Sequence, residues 1–216
     1  MTPETAQKKE TSTMIPSASQ VRRRRGVLAV LATVAALTVS GCAGAGDLVS
    51  YELPADSARY TFETETDGVA TVWQYVSDKP SKGEAPKQNP CMGDLVGGND
   101  AACRPESLIF LRYDLGLALD NTAKAGKRHE ITVTAYYQER LTAPPKVNSL
   151  KIEASYDGGK SWKPVTSRAS GGNTYTAQID NPSGKQAAQS VGLRVHATDT
   201  KGDTVRQTMP TAYKLS

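Results

Sequence analysis

The 216-residue sequence is poor in the residue types from which most metal centres and nucleophilic active sites are built: three cysteines, two histidines, two tryptophans and two phenylalanines. A zinc site needs four ligands, and neither His129 nor His196 lies close in sequence to a cysteine. There is no apolar stretch of the roughly 20 residues that a membrane-spanning helix requires; the run from Val27 to Val39 has 13. There is also no usable excess of positive charge. Of 26 Lys and Arg, six precede Cys42, as do two of the 22 Asp and Glu, which leaves twenty of each sign beyond that point. Nucleic-acid binding needs a basic stripe on the folded part, so it is excluded as an expectation.

What is present begins with "RRRRGVLAVLATVAALTVSGC", residues 22–42. A basic segment, a short apolar core and a small-residue patch follow the order of a secretory signal. Val39-Ser40-Gly41-Cys42 resembles the bacterial lipobox, in which the cysteine thiol takes up a diacylglyceryl group and the chain is cut just before it. Ser40 and Gly41 are small enough for a narrow protease cleft, and Val39, Ser40 and Gly41 form the signal-peptidase recognition sequence. The competing reading is an ordinary secretory signal with an incidental cysteine. Arg24-Arg25-Gly26-Val27-Leu28 also resembles a twin-arginine signal, against the simpler reading of a positive charge that orients the segment. Met14 is an alternative start, which would trim a polar extension without a visible structural role. Two acyl chains hold a protein at a bilayer where one leaks. The expectation is a protein on the outer face of the bacterial cytoplasmic membrane, with residues 1–41 a signal peptide and 42–47 a flexible tether.

Cys91 and Cys103 remain, and one pair in an oxidising compartment reads as a disulfide. In the chain-entropy model, closing a loop of about 15 residues stabilises a fold by roughly 3 kcal/mol. That suits a staple for the aperiodic stretch through Met92, Asp94, Gly97, Gly98 and Asn99.

Along the rest of the chain the dominant period is two. In "HEITVTAYYQ" Ile131, Val133 and Ala135 alternate with Glu130, Thr132 and Thr134; in "SVGLRVHATD" Val191, Leu193, Val195 and Ala197 alternate with Gly192, Arg194 and His196. Half-buried antiparallel strands show this pattern. Less regular runs occur at "ARYTFETET", "VATVWQYVS", "SLIFLRYDLGLAL", "SLKIEASYD", "TYTAQID" and "TVRQTMPTAY", separated by turn clusters such as "DGGKS", "ASGGN", "NPSGK" and "DTKGD". No 12-residue stretch after Cys42 keeps a helical period. The expected fold is all-β, as tandem antiparallel β-sandwich modules of the immunoglobulin or fibronectin kind. Pro144-Pro145 places a linker at 141–148, between a unit at 48–140 and a second at 149–216; one continuous sandwich is the alternative.

Ser155-Tyr156-Asp157-Gly158-Gly159-Lys160-Ser161-Trp162 resembles the Asp box of sialidases and related glycosidases. The pattern has a local cause: Asp157 can accept from turn amides, Gly158 and Gly159 supply unusual dihedrals, and Trp162 packs back on the hairpin. A single copy without repeated propeller blades reads as a structural turn of Ser155, Asp157, Gly159, Ser161 and Trp162.

The order of the segments, above all "SYDGGKSW" and "ATDTKGDTVRQT", resembles the C-terminal β-rich extension behind the catalytic domain of large secreted subtilisin-like serine peptidases of bacteria, over most of residues 48–215. Those peptidases need an Asp, a His before Gly and a Ser in Gly-Thr-Ser. This chain has no His-Gly and no Gly-Thr-Ser, so the resemblance implies the fold and no catalytic residue. His196 is expected to face solvent and His129 to sit at a strand rim.

Two further ideas have residues to test. Tyr136, Tyr137, Trp73, Tyr75 and Trp162 could stack on sugar rings, against the competing role of aromatic core and cross-strand partners. Asp199, Asp203, Asp157 and Asp180 lie near turns and could join a calcium site, although turns are rich in Asp for their own reasons. The functional expectation is a non-catalytic binding or structural accessory module without cofactor or metal. Its partner is an unknown protein or a cell-wall polysaccharide, the latter making it a carbohydrate-binding module. A remnant or partner of a secreted serine peptidase is the further alternative.

Overall fold

Alternating apolar and polar residues place one set of side chains on each face of a strand, and each alternating run of the sequence contains a strand, although only Phe110–Asp114 of "SLIFLRYDLGLAL" is one. These strands are β2 (Ala58–Thr66), β3 (Val69–Ser77), β4 (Phe110–Asp114), β6 (Arg128–Tyr136), β7 (Val147–Ser155), β10 (Thr174–Asp180), β11 (Ser190–Asp199) and β12 (Thr204–Leu215). Four further strands join them: β1 (Thr11–Pro16), β5 (Thr122–Ala123), β8 (Lys163–Val165) and β9 (Ser167–Gly171). The computed structural model describes residues 11–16, 54–81, 104–139, 141, 143–183 and 190–216, and no helix occurs among them. Cys42, Cys91 and Cys103 lie outside the described residues, as do Val39, Ser40, Gly41 and the 42–47 tether.

The strands form two sheets. One runs β1-β2-β3-β12-β11-β7-β8, with β5 added parallel to the end of β12; the other runs β4-β6-β10-β9. All other pairings are antiparallel. The expected split at 141–148 is corrected here, because the two predicted units share both sheets: β3 pairs with β12 and β6 with β10, each across the proline-rich junction. The physical reason is that the apolar faces of strands from the two halves cover one another. The core is therefore common property: Ile131, Val133 and Ala135 of β6 pack with Leu150, Ile152, Val195, Ala197 and Val205 of the other sheet. Val191, Leu193 and Val195 have no solvent exposure, and burying each such large aliphatic side chain stabilises the fold by about 1.5–3 kcal/mol.

Local chemistry sets the corners. Asp67 and Gly68, at φ 53° and 77°, make a two-residue turn between β2 and β3, the primed geometry that matches strand twist. Gly192 marks a register shift between β11 and β12, and a Cβ there would lie 2.6 Å from the Pro210 carbonyl oxygen. At the other edge of the large sheet, β1 lies antiparallel on β2, from Thr11 opposite Glu65 to Pro16 opposite Tyr60. The polar extension to which the sequence assigned no structural role thus supplies an edge strand.

Candidate functional site

The "SYDGGKSW" segment joins β7 to β8 and closes on itself. The Ser155 hydroxyl donates to Asp157 Oδ1 at 2.8 Å and accepts the Gly159 amide at 2.8 Å. Asp157 in turn accepts the Ser161 amide at 2.9 Å and the Ser161 hydroxyl at 2.5 Å. Gly158 and Gly159 have φ of 72° and 87°. These bonds hold the Asp157 carboxyl well below the usual carboxylate range, the Ser161 hydroxyl contributing most. The Trp162 ring lies beneath the Arg194 guanidinium at 4.7 Å from its centroid.

The four aspartates considered for calcium do not converge. Asp157 serves its own turn, and Asp180 pairs with Arg128 at 3.0 Å. Asp199 and Asp203 share the β11–β12 hairpin, where Asp199 Oδ1 accepts the amides of Lys201 and Asp203 at 2.8 and 2.9 Å. Asp203 is buried, accepts the Val76 amide at 3.1 Å and faces Arg59 at 3.7 Å. Its carboxyl is pushed up by desolvation first and by the Asp199 charge second. Among the described residues, no three His, Cys, Asp or Glu side chains gather where a metal ion would sit.

Nor do the candidate sugar-stacking aromatics share a surface. Tyr75 is buried, and Trp73 is packed against the core with its indole N–H donating to the Ile109 carbonyl at 2.8 Å. Phe62, Trp73, Phe110 and Tyr136 form a chain of ring contacts from one sheet to the other, centroids 5.5, 6.1 and 5.7 Å apart. Tyr137 turns its hydroxyl to Asp199. Only Tyr136 of this set is exposed, at 42%.

The histidines stand in unrelated places. His196 is exposed between Lys151 and Arg206 on neighbouring strands, and its pKa is lowered, by desolvation first and then by those two cations. His129 is half-buried beside Tyr213, its Nε2 2.6 Å from the Leu115 carbonyl; the carbonyl can only accept, so Nε2 carries the proton.

A concavity among the described residues lies elsewhere, at the seam where β8 ends one sheet and β9 ends the other. It is a cleft of about 750 Å³, within the size range of small-ligand sites. The chain crosses between sheets at Thr166, and the opening is flanked by Tyr156, Lys163, Arg168, Gln178 and Asp180. Glu130 accepts the Gln178 side-chain amide at 2.8 Å, and the Tyr156 hydroxyl donates to the Asp180 carbonyl at 3.2 Å. Desolvation, followed by the Asp180 charge, raises the Tyr156 pKa. The Arg168 side chain has no ion-pair or hydrogen-bond partner among the described residues, and the Lys163 ammonium makes a contact over the Tyr156 ring, 5.8 Å from its centroid. Of these residues the sequence pointed only to Asp180, as a turn aspartate, and to Tyr156, as part of the Ser155–Trp162 turn; Lys163, Arg168 and Gln178 did not stand out. The one available signal was the length mismatch between "TYTAQID" and the short stretch before it, which leaves part of β10 without a neighbour.

No family model and no curated protein matches this chain.

Proposed function

We propose that this protein is a membrane-anchored extracytoplasmic lipoprotein whose β-sandwich acts as a non-catalytic binding module. The observation that carries the reading is Val39-Ser40-Gly41-Cys42 at the end of a basic, then apolar leader. Cys42 receives the diacylglyceryl group, and the sandwich stands just outside the outer face of the bacterial cytoplasmic membrane, with β2 beginning at Ala58. Cleavage before Cys42 also removes Thr11–Pro16, so that β2 becomes the edge of the mature large sheet. Cys91 and Cys103 form a disulfide in that oxidising compartment.

The binding reading is supported by the open, polar cleft at the seam. A protein partner is favoured over a sugar, because Trp73 and Trp162 are both committed to internal contacts. A secreted peptidase is one such partner, in line with the resemblance of the segment order. Mass spectrometry of the protein purified from bacterial membranes tests the anchor. The expected N-terminus is a diacylglyceryl-modified Cys42, and Cys42→Ser should release the chain into the soluble fraction. A free thiol at position 42, or an intact leader, would sink the reading.

A further inference from the structure

β10 is longer than the strand beside it. It pairs with β6 along its whole length, Thr174 to Asp180, but with β9 only as far as Ala177 opposite Ser167. Beyond that point the chain of β9 has crossed to the other sheet, where Val165 of β8 pairs with Ile152. The last residues of β10, Gln178 to Asp180, therefore have no strand beside them on the cleft side. In an antiparallel ladder successive residues turn their backbone groups to opposite sides. The Asp180 carbonyl meets the Tyr156 hydroxyl and so faces the cleft; Gln178, two residues earlier, turns its own N–H and C=O the same way. Such an edge is a template for another strand.

The side chains around it select a sign of charge. The carboxylates are occupied: Asp180 pairs with Arg128, and Glu130 accepts from Gln178. The cations opposite carry no carboxylate: the Arg168 side chain has no partner among the described residues, and the Lys163 ammonium has only the Tyr156 ring beneath it. Lys163 also covers the one ring in the cleft, which removes the stacking surface that a sugar would use. We propose that the cleft takes an extended, acidic peptide segment, which adds alongside β10 at Gln178 and sets its carboxylates against Arg168 and Lys163. This names the partner class of the binding module proposed above and rests on that reading.

The test uses the full lipidated protein in detergent micelles, with two fluorescein-labelled seven-residue peptides, one alternating valine with aspartate and one alternating valine with lysine. Anisotropy should show binding of the aspartate peptide, weakened at least tenfold by Arg168→Glu with Lys163→Glu, and at least tenfold weaker binding of the lysine peptide. Amide hydrogen exchange on the wild-type protein should slow at Gln178 and Asp180 when the aspartate peptide is present. Gln178→Pro, which deletes the edge donor, should abolish binding; if that variant fails to fold, the exchange result and the double charge reversal still decide. Equal binding of the two peptides, no binding of either, or protection confined to other strands overturns the proposal. So does displacement of the aspartate peptide by a polygalacturonate oligomer that binds without slowing those two amides. Mass spectrometry of the N-terminus, measured on the same samples, reports the lipoprotein reading separately.

Discussion

Tyr137, one residue past the end of β6, donates its hydroxyl to Asp199 Oδ2 at 3.0 Å and so ties the small sheet to the β11–β12 hairpin of the large one. Asp199 is 2% exposed and also accepts the Lys201 and Asp203 amides. Hydrogen bonds to charged groups stabilise by about 1.5–3 kcal/mol, whereas a buried donor left without a partner costs about 1–3 kcal/mol. Tyr137→Phe leaves Asp199 two donors and should cost about 1–2 kcal/mol in urea unfolding. Asp199→Ala strands three donors at once and should cost about 3 kcal/mol or more. Additive effects in the double variant would show that the two side chains do not interact.

The charged groups around this hairpin predict a pH dependence with a definite sign. Desolvation raises the carboxyl pKa of both Glu106 and Asp203. A raised acid holds its proton more tightly in the folded protein than in the unfolded chain. Its stabilising share is complete below the unfolded pKa of about 4 and is lost as pH rises through the folded pKa. Asp203→Asn keeps an acceptor for the Val76 amide and deletes the titration. The melting temperature of Asp203→Asn relative to wild type should therefore climb between pH 4 and pH 7. Asp157 works the other way: its lowered pKa contributes stability above about pH 4 that disappears in acid. Asp157→Ala should flatten the acid side of the melting profile.

Gly192 has no room for a methyl group. A Cβ would sit 2.6 Å from the Pro210 carbonyl and 3.0 Å from that of Met209, both backbone atoms that can move only with β12. Gly192→Ala should destabilise by more than about 2 kcal/mol, in the class of overpacking and backbone strain. Gly68, with open space around it and φ of 77°, is the control. Gly68→Ala meets only the dihedral penalty and should cost about 1 kcal/mol. Equal losses by denaturant titration would refute the steric account.

Removal of residues 1–41 takes one edge strand from a sheet whose interior pairings, β3 with β12 and β11 with β7, do not involve it. A chain beginning at Cys42 should keep a cooperative melt within a few degrees of the full chain, since none of those interior pairings is lost. Collapse of the near-ultraviolet circular dichroism on truncation would show that β1 is part of the core fold.

Strand positions were legible because their cause is local. In "HEITVTAYYQ" and "SVGLRVHATD" the two-residue period itself assigns each side chain to the core or to solvent, and His196 is exposed where that period puts it. The turn at Asp157 was legible for the same reason, since every bond it makes lies within four residues. The cleft was not. Arg168 and Lys163 are ordinary surface cations in sequence, and Gln178 is one more polar residue in an alternating run.

The sequence by itself determined that this is an all-β protein, which residues alternate inward, and where the chain turns, because hydrophobic period and turn chemistry act over a few residues. Only the tertiary structure decided that the halves on either side of Pro144-Pro145 share two sheets. The same is true of the end of β10, which is left open, because strand partners are chosen by the burial of apolar faces between segments far apart in the chain, and alternation alone carries no information about which neighbour covers which.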